Sequence, residues 1–304
     1  STVRPIQHDN DHDPCDCGGT AEMTTTLLWL TVMFGSPPSS YPRADLLVDP
    51  QALIPPPREI VLLDSRPAGT YQSGHMPGAL SVSASAWSRK FLESRDPQTW
   101  SRVLGDLGLS PEREVIVYGS IWTESARIWW ILRYWGFEKA RILNGTYAAW
   151  VAAGGQPVTN APKPTPSSPQ LRPTDRLAEK NDLRGRLDKP SVQILDVRTE
   201  REYRGETAGT AKTGCIPGAR HLDWAEFIDP KTHKIKPPEV IAERLRQVGI
   251  DLTKPTVTYC HVGARSSVAA FVLELMGCES VQNYLRGWSE WGEAEDTPVA
   301  KPVK

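Results

Sequence analysis

Cys260, Gly263, Arg265 and Ser266 lie close together in the stretch "TVTYCHVGARSSVAAFVLELMG", residues 256–277. The cysteine follows a β-branched, aromatic run and precedes an apolar run of helical length, which places it at a strand-to-helix turn. Backbone N–H groups in such a turn, with the positive end of the helix, form a concavity that favours an anion and so a thiolate. Gly263 tolerates the positive φ of a tight turn. Arg265 adds a fixed charge and a planar donor fork suited to an oxyanion. The pattern predicts a helix from Ser266 or Ser267 to Met276. It makes Cys260 a nucleophile and His261, Val262, Gly263, Ala264, Arg265 and Ser266 the residues around its substrate. The competing reading is a small apolar residue at a strand end.

The elements that must position this turn occur twice. "IVLLDSRPAGTYQSGHMPGALSVSASAW" returns as "VQILDVRTEREYRGETAGTAKTGCIPGARHLDW". Asp64, Arg66 and Tyr71 map onto Asp196, Arg198 and Tyr203 at an offset of 132. After eight inserted residues, Gly74, Pro77, Gly78 and Ala79 map onto Gly214, Pro217, Gly218 and Ala219 at 140. From Tyr118 and Tyr259 onward the offset is 141. Opposite Cys260, Gly263 and Arg265 the first copy has Gly119, Trp122 and Glu124, so it lacks the nucleophile, the curling glycine and the cation. Only the second copy can do thiol chemistry, and the first becomes a packing partner that shapes one wall of a cleft.

Within each copy, short strands alternate with helical patterns, which implies α/β units on a mostly parallel sheet flanked by helices. Ligands of such sheets sit beyond the carboxyl ends of strands, where Cys260 falls. A chain of 304 residues suits two domains. The expected boundaries are a tail at 1–45, a first domain at 46–158, a stiff Pro-rich linker at 159–178 and a second domain at 179–304. Asp196 and Arg198 are expected to pair and brace the base of the loop. Trp224 is expected to line the cleft, and Trp288 and Trp291 to pack in the core. Cys215, which stands where the first copy has His75, and Cys278 read as structural, with a resolving thiol the alternative for Cys215.

The net charge of −1 gives no pointer to nucleic acid or to an anionic membrane. Five cysteines without regular spacing favour free thiols and a cytoplasmic setting, with export the alternative. Residues 1–22 are polar and Asp-rich and read as a disordered tail. His8, His12, Cys15 and Cys17 match no zinc spacing. The apolar run at 27–34 is too short to span a bilayer, and a signal peptide beginning at Met23 would lack a basic leading segment. No metal or organic cofactor is expected, and the partners are small molecules meeting a monomer.

Taken together, the double unit, the "LDVR…EY" and G-x-I/M-P-G-A motifs, the Cys-x-x-Gly-x-Arg loop and the closing "GWSEWG" resemble a two-domain rhodanese of the thiosulfate sulfurtransferase family. The resemblance implies two tandem rhodanese-like domains, the first inactive and the second catalytic. It implies a ping-pong reaction in which Cys260 takes a sulfane sulfur from thiosulfate, holds it as a persulfide, and passes it to cyanide or another thiophile. Two departures leave the donor open. His261 and Val262 match neither the basic residues of thiosulfate-preferring members nor the small neutral ones of mercaptopyruvate-preferring members, and Glu202 stands where well-known members carry arginine. Transfer from 3-mercaptopyruvate is therefore the alternative. A Cys-dependent phosphatase or arsenate reductase uses a related cradle but needs a longer loop, and a non-catalytic sulfur-binding module is the remaining rival.

Overall fold

The computed structural model describes residues 40–187, 189 and 192–302. In the first domain β1 (Leu47–Val48), β2 (Val61–Asp64), β3 (Leu80–Ser81), β4 (Val115–Tyr118) and β5 (Ala140–Leu143) form one sheet in the order β1-β5-β4-β2-β3. Its helices are α1 (Ala68–Ser73), α2 (Ala84–Glu93), α3 (Pro97–Gly105), α4 (Trp122–Tyr134) and α5 (Thr146–Ala152). The second domain contains α6 (Lys180–Arg184), β6 (Gln193–Asp196), α7 (Glu200–Tyr203), β7 (Arg220–His221) and α8 (Pro238–Gln247). It continues through β8 (Thr256–Tyr259), α9 (Ala264–Leu275), β9 (Val281–Tyr284) and α10 (Gly287–Trp291). Its sheet runs β7-β6-β8-β9. All pairings in both sheets are parallel. Of the inner strands, β2, β4, β6 and β8 are buried at every residue and β5 at all but Arg141, as expected of short strands covered by helices on both faces.

Cys260 lies just past the carboxyl end of the interior strand β8. Helix α9 begins at Ala264, earlier than the expected Ser266 or Ser267, with Gly263 as its N-cap at φ +83°. A left-handed glycine turns the chain directly into the helix, so Ala264 and Arg265 belong to its first turn.

The apolar girdle of α4 and α9 has a physical reason. Each helix covers its own sheet on one side and the other helix on the opposite side, so a polar face has no place. All residues from Ser266 to Leu275 are buried. Trp129 meets Phe271 edge-on at 5.0 Å between ring centroids. Arg133 of α4 and Glu274 of α9, which occupy equivalent repeat positions, pair at 3.1 Å while both are nearly inaccessible. Arg176 also pairs with Glu274. Equivalent positions meet near a pseudo-two-fold axis, and here divergence has set opposite charges there.

The Pro-rich segment runs extended but not free. Ser167 donates its amide to the Gly105 carbonyl (2.9 Å), Thr174 to Tyr134 (2.9 Å), and Ala178 to Asn283 (3.1 Å). The expectation of a tail through residue 45 is corrected at its end. The Tyr41 hydroxyl donates to the Lys236 carbonyl at 2.7 Å, the Arg43 amide donates to Leu275 at 3.0 Å, and 44–46 form a 3-10 turn. The remainder of that tail, with His8, His12, Cys15, Cys17 and the 27–34 run, lies outside the described residues. No helix among the described residues is long and apolar enough to cross a membrane.

Removing the Glu274 carboxylate would leave Arg176 without that ion pair and the buried Arg133 with only the exposed carboxylate of Glu138. Glu274→Ala is expected to lower the unfolding free energy by about 3–5 kcal/mol, read from urea denaturation. A loss below about 1 kcal/mol would mean that the contact between the domains does not depend on this cluster.

Candidate active site

A buried ion pair fixes the base of the site. Arg198 donates through Nε (3.0 Å) and Nη2 (2.6 Å) to the Asp196 carboxylate, and through Nη2 to the Gly214 carbonyl at 2.7 Å. The Tyr259 hydroxyl donates to Asp196 and accepts from the Ile216 amide at 3.1 Å. Burial and the Asp196 charge push the Tyr259 hydroxyl well above its ordinary value, so it stays a donor. The expected pairing of Asp196 with Arg198 is thus present. The first domain repeats it, with Arg66 on Asp64 (2.6 Å) and on the Gly74 carbonyl (2.7 Å), and the Met76 amide on the Tyr118 hydroxyl (3.1 Å). A frame kept in the copy without a cysteine serves to tie the strand end to the Gly-Pro turn.

Above this frame Cys260 is 1% exposed. Its Sγ accepts from the Gly263 amide at 3.1 Å and from the Ser266 hydroxyl at 3.5 Å. Helix α10 holds the loop from behind: the Trp288 amide donates to the Cys260 carbonyl (2.8 Å) and the Ser289 amide to the His261 carbonyl (3.0 Å). Two glycines permit this closeness. A Cβ on Gly263 would come within 2.5 Å of the Leu285 carbonyl oxygen, and one on Gly287 within 2.3 Å of the Cys260 carbonyl oxygen.

Arg265 is not free. Its Nη1 and Nη2 donate to the two oxygens of Glu202 at 2.6 and 2.8 Å. Glu202 also closes a capping box at the start of α7, accepting from the amide and hydroxyl of Thr199. Burial opposes the charge on Glu202, but Arg265 and Thr199 outweigh it and hold the carboxyl down at about 2. Because the folded value is depressed, the pair stabilises the fold above the ordinary carboxylate range and is lost only as pH falls through about 2. Burial likewise works against the Arg265 charge, and Glu202 with the nearby Cys260 sulfur more than restores it.

The expected site residues divide between two cavities. His261 and Arg265 line one of about 380 Å³ with Arg198, Glu202 and Trp288. The Arg198 guanidinium stands 4.4 Å from the Trp288 ring centroid. Val262, 49% exposed, lines a second cavity of about 280 Å³ with Leu92 of the first domain. Gly263 and Ser266 contact the sulfur, while Ala264 is a first-turn helix residue. Trp224 lies in a 3-10 turn, half-buried against the core, and lines neither cavity. Trp291 and Trp288 are both core, and Trp288 also forms part of the first cavity wall.

The wall that side-chain chemistry alone did not indicate is the inserted segment. Thr207, Gly209, Thr210 and Thr213 line the first cavity. Thr210 accepts from the Trp288 indole at 2.9 Å. The Lys212 ammonium donates to the carbonyls of Ala294 (2.5 Å) and Thr297 (2.7 Å), anchoring the segment. Its signal in the sequence was the insertion itself, present only in the copy that keeps the cysteine.

At the equivalent place in the first domain a Cβ on Gly119 would lie 2.3 Å from the Ser65 hydroxyl oxygen. Ser65 in turn bonds to Ser125 at 3.2 Å. Ser125 is the repeat partner of Ser266, so a serine hydroxyl has taken the place of the sulfur. Cys215 is buried, and burial and the Asp196 charge push its thiol up to about 11. Burial also raises Cys278. Neither is poised to react at neutral pH. Among the described residues no group of His, Cys, Asp and Glu side chains is placed to hold a metal ion.

Comparison with known proteins agrees with the two-domain fold. The rhodanese-like domain model matches residues 51–153 and again 179–294. The thiosulfate sulfurtransferase of Azotobacter vinelandii is 33% identical over 282 residues, covering 88% of this chain and 98% of the relative. The sulfur carrier protein TtuD of Thermus thermophilus is 31% identical, covering 76% and 87%. Among solved structures, the anaerobic ergothioneine biosynthesis enzyme of Chlorobium limicola, in complex with trimethyl histidine, superposes with a TM-score of 0.78. It is 25% identical, and the match covers 88% of this chain and 73% of that one. Two such matches in tandem, on two parallel sheets of the same construction, place the chain in the rhodanese family as a two-domain member.

Proposed function

We propose that this protein is a sulfurtransferase that moves a sulfane sulfur from thiosulfate to cyanide or another thiophile through Cys260. The convergence of the Gly263 amide and the Ser266 hydroxyl on Cys260 Sγ carries the reading, because both donors stabilise negative charge at that sulfur. The thiosulfate sulfurtransferase name of the Azotobacter relative supports the donor.

In the first half-reaction the Cys260 thiolate attacks the outer sulfur of thiosulfate. The bond from that sulfur to the sulfonate breaks, and sulfite leaves with the electron pair. Cys260 then carries a persulfide. In the second half-reaction the carbon of cyanide attacks the outer sulfur, thiocyanate departs and the thiolate returns, with no external oxidant or reductant. Inorganic and small organic sulfur compounds are the partners of this chemistry. The mutual cover of α4 and α9 within one chain suits a monomer, and the three free, buried thiols among the described residues suit a reducing, cytoplasmic setting.

One observation favours 3-mercaptopyruvate as a second reading. Each cation of the first cavity is balanced by a carboxylate, Arg265 by Glu202 and Arg198 by Asp196. A dianion gains less there than it would from unpaired guanidinium groups, whereas a monoanionic donor loses less.

Incubation with thiosulfate followed by intact mass should show a gain of one sulfur atom that cyanide removes and that is absent in Cys260→Ala. No gain with thiosulfate or mercaptopyruvate would overturn the transferase reading, and a gain with mercaptopyruvate alone would select the second donor. Glu202→Gln releases the charge of Arg265 while keeping a hydrogen-bond acceptor. It is expected to lower the half-saturating thiosulfate concentration about fivefold and that of mercaptopyruvate no more than about twofold, measured by steady-state turnover. An unchanged thiosulfate dependence would show that Arg265 does not meet this donor.

A further inference from the structure

The first domain places one cation directly on the sulfur loop. Arg127, on α4, donates through Nη2 to the Val262 carbonyl and through Nη1 to the Ser88 hydroxyl at 2.6 Å. Its Nε is buried without a partner among the described residues. The carbonyl of Val262 and the amide of Gly263 belong to the same peptide unit, and in a trans peptide the oxygen and the hydrogen point in opposite directions. That amide is the one that donates to Cys260 Sγ at 3.1 Å. Holding the oxygen therefore aims the hydrogen at the sulfur, and a cation behind the carbonyl polarises the N–H into a stronger donor.

The carbonyls on either side of His261 show what Arg127 adds. Those of Cys260 and His261 are held by amides of α10, within the second domain. That of Val262 is reached from the other domain. We infer that Arg127 is a positioning residue of the sulfur site, through which the domain that has lost its own cysteine orients the Gly263 donor of the active one. Burial pulls the Arg127 guanidinium below its usual range and negative charge on Cys260 counters this, in keeping with their closeness.

This role rests on Cys260 being the reacting sulfur, as proposed above, but its test needs no sulfur donor. Cys260 alkylation by iodoacetamide at pH 7 is followed by peptide mass, which separates it from the other thiols, in Arg127→Met, Arg127→Gln and Arg127→Lys. Methionine keeps the bulk, glutamine keeps a donor without charge, and lysine keeps both donor and charge. Alkylation in Arg127→Met is expected to fall about tenfold, with Arg127→Gln intermediate and Arg127→Lys within about threefold of the parent. A folded Arg127→Met that alkylates at the parent rate overturns the role, and so does equal slowing in all three. If the methionine variant does not fold, the glutamine and lysine variants carry the same comparison. The expected order in a protein that accepts no sulfur from any donor supports the positioning role and counts only against sulfur transfer.

Discussion

The contact between α4 and α9 is the constraint on which the other features of this molecule rest. Each helix is committed twice, once to its own parallel sheet and once to its counterpart, so neither can shift without opening two cores. Trp129 against Phe271 supplies apolar area, and the Arg133–Glu274–Arg176 cluster fixes the pairing. Buried charges of this kind add little net stability over an apolar packing, but they penalise any other alignment heavily. Since α9 starts at the sulfur loop and α4 carries Arg127, fixing one helix against the other also fixes what the first domain presents to Cys260. The Arg286 side chain, which donates to the Leu92 carbonyl at 3.0 Å, ties the start of α10 to the first domain.

The two copies act as an internal control on the meaning of the motifs. The Asp-x-Arg pair, the strand-end tyrosine and the Gly-Pro turn form the same hydrogen-bonded frame in both domains, down to an arginine bond of 2.7 Å to a glycine carbonyl. Their prominence in sequence therefore reflects a buried ion pair that must be satisfied in both copies. The copies differ in the inserted segment and in the turn after β4 and β8. There Ser65 fills the space of a sulfur, and Glu124, whose carboxyl burial raises, stands in place of a cation.

Electrostatics at the active turn are more balanced than a Cys-x-x-Gly-x-Arg pattern alone suggests. Arg265 spends both ends of its fork on Glu202, and Arg198 is likewise occupied by Asp196. The groups that meet the sulfur are a backbone amide and a serine hydroxyl, so the local field comes from fixed dipoles backed by compensated ions. Such a site can hold an anionic sulfur without gathering anions indiscriminately.

Periodicity and the repeat were enough to place Cys260 at a strand-to-helix turn of a parallel sheet, to pair Asp196 with Arg198, and to show that the first copy has glycine where the second has Cys260. Those are local properties: alternation, glycine tolerance and the absence of a side chain are written one residue at a time. Other features depend on what lies across space. Glu202 and Arg265 are far apart in the chain and meet because α7 and α9 start at neighbouring strand ends. Val262 and His261 are adjacent in sequence yet line different cavities, because successive side chains of a tight turn diverge. Trp224 stays against the core because its 3-10 turn faces inward. The helix start at Ala264 follows from the left-handed conformation of Gly263, which composition permits but does not require. Arg127 reads in sequence as one of three charges, with Glu124 and Arg133, in a largely apolar helix, and only the docking of two domains brings it onto the peptide that faces the sulfur.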